Sequence, residues 1–105
     1  MTVYFKEEYD VHLPKMAEFL EFATTLAEVI KGMNLPYLKA WGVYQSKYKL
    51  GRFIEVWELE EQANVDMLFE QSTTHPEFSK IPPKFFEYVV PGSHKIEFLT
   101  KLASI

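Results

Sequence analysis

The order in which the hydrophobic period changes along the chain restricts its fold more than any other feature. Residues 3–11 alternate, with Val3, Phe5, Glu7, Tyr9 and Val11 in one row and Tyr4, Lys6, Glu8 and Asp10 in the other. A period of two predicts a strand. Pro14 suits the first turn of a helix, where its missing N–H costs nothing. From there apolar side chains recur at Met16, Phe19, Leu20, Ala23, Ala27 and Ile30, widened by Phe22, Leu26, Val29 and Met33. So broad a stripe predicts a helix lying on another surface, with Gly32 expected at its end and Pro36 in the turn beyond. Residues 37–48 and 52–60 read as a hairpin turning near Lys49-Leu50-Gly51, with a glycine available for positive φ. Gln62 to Ser72 reads as helical, with Val65, Leu68 and Phe69 on one side, until His75-Pro76 breaks the pattern. A short helical stretch with Phe78, Ile81, Phe85, Phe86 and Val89 follows, interrupted by Pro82-Pro83. After Pro91-Gly92, residues 94–102 alternate again.

The resulting order, β-α-β-β-α-β, predicts an α+β, ferredoxin-like fold: a four-stranded antiparallel sheet with helices on one face. With 105 residues, no repeat and no linker, residues 1–105 form one domain. The chain has no cysteine, which excludes a disulfide scaffold, thiolate metal sites and a Cys nucleophile. The net charge is −4 and no basic patch stands out, so a nucleic-acid partner is not expected. No segment approaches the roughly 20 apolar residues of a membrane span, and the acidic start does not resemble a signal peptide. A cytoplasmic protein that does not engage a membrane is expected.

Aromatic residues make up 16% of the chain, and their placement raises a question about the uncovered face of the sheet. In residues 53–59 one row holds Ile54, Val56 and Glu58, and the other Phe53, Glu55, Trp57 and Leu59. In residues 37–44 one row holds Leu38, Ala40, Gly42 and Tyr44, and the other Tyr37, Lys39, Trp41 and Val43. Both rows of both strands carry large apolar groups. Glu55 would be costly against the helices without a partner, so Ile54 and Val56 are assigned to the helix side. Phe53, Glu55 and Trp57 are assigned to the open side. A large apolar open face implies a cover, and a second copy of the same sheet would supply one, giving a homodimer around an aromatic-lined space.

At this point the sequence resembles the dimeric α/β-barrel superfamily, in particular its antibiotic-biosynthesis-monooxygenase-like and NIPSNAP-like small domains. The resemblance is carried by PYLKAWGVYQS and RFIEVWELEEQANVDMLFEQS between Pro36 and Ser72, by YDVHLPKMAEFLEF near the start, and by THPEF at residues 74–78. It implies pairing of the sheets into a dimeric α/β barrel. It also implies functions that range from cofactor-independent oxygenation of quinol-like substrates to haem degradation. The haem-degrading members use a Trp, a His and an Asn. Phe69, the stretch Ile81 to Pro83, and Glu7 or Glu8 stand near those positions here, so haem degradation is disfavoured and no cofactor is implied.

The candidate chemistry is sparse. Glu55 between Phe53 and Trp57 is a carboxylate among aromatics, which burial would turn into a general base; the alternative is an ion pair with Lys39. His75 before Pro76 could move a proton at the mouth of a cavity, or simply cap a helix. Alternation alone does not fix the face that Glu7 takes. Trp41, Tyr44, Phe53, Trp57 and Phe69, with Glu7, are candidates for holding a flat ligand, against the plainer reading of packing. His12 and His94 read as surface residues at strand ends, and the three histidines lack metal-ligand spacing. The expected function is binding of a small molecule between sheet and helices. Glu55 and His75 would be catalytic in a monooxygenase-like reaction on a flat aromatic or quinone-type substrate. The alternative is a homodimeric ligand-binding or assembly module without catalysis.

Overall fold

The computed structural model describes residues 1–105. Strand β1 (Val3–Asp10) leads through a 3₁₀ turn (Leu13–Lys15) into helix α1 (Met16–Met33). The hairpin β2 (Leu38–Gln45) and β3 (Arg52–Leu59) follows, then helix α2 (Ala63–Thr74), a second 3₁₀ turn (Phe78–Lys80), helix α3 (Ile81–Tyr88) and β4 (Lys95–Thr100). The strands form one antiparallel sheet in the order β2-β3-β1-β4. This is the ferredoxin-like arrangement that the period changes predict.

Two helix boundaries differ from expectation, each for a local reason. Gly32 lies inside α1; the helix ends at Asn34, which takes the left-handed conformation (φ 50°) and donates its N–H to the Lys31 carbonyl. Asn tolerates that region better than other non-glycine residues. Pro82 and Pro83 do not interrupt a helix but open α3, in its first turn, where no intrahelical N–H is needed. At the hairpin, Gly51 has φ +86° and its carbonyl accepts the Val11 N–H at 2.8 Å.

The assignment of sheet faces is reversed. Phe53, Glu55, Trp57 and Leu59 all lie on the helix side and are buried, together with Val3, Phe5 and Tyr9 of β1. Phe19, Phe22, Leu26 and Ile30 of α1, Val65 and Leu68 of α2, and Phe85 and Tyr88 of α3 complete this core. Area decides the outcome: two large rings and a Leu gain more from burial than Ile54 and Val56 would. A bulge at Lys39 also shifts the register of β2, so Leu38 joins Trp41 and Val43 against the core.

The open face therefore lacks Phe53 and Trp57, the rings expected to line it. Ile54, Val56, Tyr4 and Tyr44 stand among cross-strand ion pairs. Arg52 holds Asp10 at 3.0 Å and Glu8 at 3.1 Å, and Lys6 faces Glu97 at 3.7 Å. No helix is long and apolar enough to cross a membrane.

Candidate functional site

Burying the Phe53–Leu59 row places a carboxylate under the helices. Glu55 is only 3% exposed. Its side chain does not meet Lys39, which instead donates to Thr2 Oγ1 at 3.1 Å. Two indoles satisfy it: Trp57 Nε1 donates to Glu55 Oε2 at 2.7 Å and Trp41 Nε1 to the same oxygen at 3.3 Å. Directly across the β1–β3 ladder stands Glu7, the paired residue. Two carboxyl groups so close cannot both ionise cheaply. Burial first, then the charge of Glu7, pushes the Glu55 carboxyl up to about 8, against the opposing pull of the two indole donors.

The other side of Glu7 is occupied by a histidine that the sequence reading placed on the surface. His94 stands where the chain enters β4, with Nε2 2.9 Å from Glu7 Oε1. Its ring packs edge-on against Phe85 and Phe86, with centroids 5.6 and 5.4 Å away, and its side chain is 20% exposed. Tyr9 lies beneath this group, fully buried, its hydroxyl without a partner. Burial, followed by the charges of Glu55 and Glu7, holds that phenol above its ordinary range.

Glu7, Glu55 and His94 face a cavity of about 220 Å³ between the sheet and α2, α3 and the turn that joins them. Ser72 is the one other polar lining side chain; the remaining wall includes Phe5, Trp57, Leu68, Phe69, Phe78 and Phe85. A dry cavity of about 150 Å³ holds benzene, so this one suits a molecule of one or two rings. It is smaller than the roughly 300–1,000 Å³ typical of cofactor and drug-sized sites.

The candidates drawn from the sequence separate cleanly. Glu7, Glu55, Trp57 and Phe69 line the cavity; Phe69 stands at its rim, in edge contact with Phe5 at 5.3 Å. Trp41 does not line it and reaches the site only through Glu55. Phe53 is sealed in the core beside Phe19 and Tyr9. Tyr44 lies on the opposite face of the sheet, 60% exposed, because its position pairs with Ile54 and not with the Glu55 row. His75 is also remote: its Nδ1 accepts the backbone N–H groups of Glu77 and Phe78, which makes it a cap for the turn after α2. His94 is the residue that sequence reasoning missed. The signal available was Glu7, an acid in an otherwise apolar row, which called for a partner on a neighbouring strand.

These features define an α+β, ferredoxin-like domain with a small apolar cavity and one acid–base cluster. No protein-family model matches the chain, and no curated protein matches it by sequence. Solved structures do. The chain is similar to a candidate antibiotic biosynthesis monooxygenase from Caulobacter crescentus CB15, with a TM-score of 0.78, 20% identity, and coverage of 97% of this chain and 91% of that one. It is equally similar in shape to a conserved protein from Methanosarcina mazei Go1, with a TM-score of 0.78, 19% identity, and coverage of 96% and 93%. A NIPSNAP family protein from Agrobacterium tumefaciens str. C58 matches with a TM-score of 0.74, 14% identity, and coverage of 95% and 92%. The chain thus has the fold of the antibiotic-biosynthesis-monooxygenase-like and NIPSNAP-like proteins over nearly its whole length. At these identities the likeness establishes the fold and not an activity.

Proposed function

We propose that the cavity binds a small, flat phenol- or quinol-type molecule and oxygenates it without a cofactor. The observation that carries this reading is the placement of Glu7, Glu55 and His94 as a single polar cluster on the wall of an otherwise apolar cavity. A carboxyl near 8 is matched to a phenol, since an efficient general base titrates close to the working pH. Glu55 takes the hydroxyl proton, the electron-rich phenolate reacts with O₂ at the ring carbon para to oxygen, and the hydroperoxide loses water. One phenol and one O₂ give one quinone and one water. Apolar walls exclude solvent and hold the ring in place.

The probe is 1-naphthol, which fits a two-ring cavity and would give 1,4-naphthoquinone. Oxygen uptake and quinone absorbance should appear with the wild-type protein, rise between pH 7 and 8.5 as Glu55 ionises, and vanish in Glu55→Gln. Binding of 1-naphthol with no oxygen uptake at any pH favours a non-catalytic binding module. That second reading has its own observation: both indoles are committed to Glu55 Oε2, an arrangement that also serves a purely structural carboxyl. Absence of binding refutes both readings.

We also propose that two copies pair through their open sheet faces, with Tyr44, Ile54 and Val56 at the apolar centre. In this arrangement the cavity of each copy lies on the far side of its own sheet, so the aromatic-lined space belongs to each subunit and not to the contact between them.

A further inference from the structure

Glu55 is held in an unusual way. Its two oxygens do not share their partners: both indole donors converge on Oε2. Neither indole reaches Oε1, and Glu7, the cross-strand partner that acts on the same carboxyl, meets His94 through its own Oε1 at 2.9 Å. One of the two indoles, Trp57, belongs to the cavity wall, and the other, Trp41, stands outside it on the edge strand β2. Trp41 is set in place by its pairing opposite Trp57, with ring centroids 6.1 Å apart.

We infer that Glu7 and Glu55 act as one dyad sharing a single proton on Glu55 Oε1, and that Trp41 is a positioning residue that sets the ionisation of this dyad from outside the cavity. A donor aimed at Oε2 stabilises the ionised carboxylate over the acid, and it fixes which oxygen is free to carry the proton. The charged and titratable groups facing Glu55 are Glu7 and Tyr9 from β1 and, beyond Glu7, His94 at the start of β4. From α2 and α3 the cavity wall offers Ser72 but no charged side chain. The assignment rests on taking this cavity as the site. Its test, however, requires neither ligand nor turnover.

The chain has two tryptophans, and both donate to Glu55. Their indole Nε1–H signals in ¹H–¹⁵N NMR spectra therefore report Glu55 ionisation directly. In the wild-type protein both signals should titrate together with one midpoint. In Trp41→Phe the remaining Trp57 signal should titrate about half a unit to one unit higher, because one donor to the anion is gone. In Glu7→Gln both signals should titrate lower by at least as much, because the repelling charge is removed. Opposite movements in the two variants support the dyad and the role of Trp41. An unmoved midpoint in Trp41→Phe overturns that role, and an unmoved or raised midpoint in Glu7→Gln overturns the shared proton. Should Trp41→Phe not fold, Glu7→Gln still decides the dyad. A wild-type protein that titrates as described but does not bind 1-naphthol refutes the proposed function and leaves this inference standing.

Discussion

Replacing Glu55 with Gln should stabilise the protein at neutral and alkaline pH, by an amount that grows with pH. Gln keeps the shape of the side chain, and its amide oxygen can still accept both indole N–H groups. It cannot ionise. In the wild-type protein the carboxyl is pushed from 4.5 in the unfolded chain to about 8 in the fold. Below pH 4.5 both states hold the proton, and Glu55 places no ionic penalty on folding. Between 4.5 and 8 the unfolded chain releases the proton while the folded chain keeps it. Stability therefore falls as pH rises, by up to about 1.4 kcal/mol per unit. Above 8 the folded carboxyl is ionised as well and the full penalty is present. A displacement of this size is worth about 5 kcal/mol in total. Water entry and relaxation around the ionised carboxylate remove part of it, so about 2–4 kcal/mol is expected at pH 8.5. Urea unfolding of both proteins at pH 4.5, 6.5 and 8.5 measures this. The free energies should agree at pH 4.5 and diverge in favour of Gln above it. Parallel pH profiles, or a wild-type protein that gains on the variant as pH rises, would refute the account of Glu55 as a buried acid.

Two further outcomes follow from the same residues and from the open face. Tyr9→Phe deletes a fully buried hydroxyl that has no partner and should stabilise the fold by about 1 kcal/mol in urea unfolding at pH 7; a loss of stability would mean that the hydroxyl is in fact satisfied. Ile54→Lys puts a charge at the centre of the proposed sheet-to-sheet contact, and native mass spectrometry should change from dimer to monomer while the circular dichroism spectrum is kept. A wild-type monomer would remove the dimer proposal outright.

Local pattern carried much of this fold. The alternation of residues 3–11, the wide apolar stripe of α1 and the hairpin around Gly51 are properties of short stretches, and short stretches are what periodicity reports. The face taken by β3 is not. The cost of burying Glu55 argues for the other face, and that cost is offset by the indole of Trp41 on a neighbouring strand and by a carboxyl pushed up to about 8, which holds its proton at neutral pH. Weighing Phe53, Trp57 and Leu59 against Ile54 and Val56 by area would have reached the right face. His94 was illegible for a similar reason: its 2.9 Å approach to Glu7 depends on β1 pairing with β4, near the far end of the chain. His75, by contrast, sits at a break that the sequence marks plainly, and it does what such a residue usually does there, accepting two backbone N–H groups.

The central position of β1, between β3 and β4, governs when the site can come into being. On the ribosome β1 is made before either of its neighbours. Its pairings Val3↔Leu59 and Glu8↔Lys95 join residues more than half the chain apart, and contacts of such long range form late. Glu7 meets Glu55 only when β3 arrives, and His94 only when the chain turns into the last strand. The acid–base cluster is therefore complete only when β3 and the start of β4 are both in place. A chain that holds only α1 and the β2–β3 hairpin has neither Glu55 nor His94 set against Glu7, so the chemistry proposed above would wait on the last strand, with no gate or lid required.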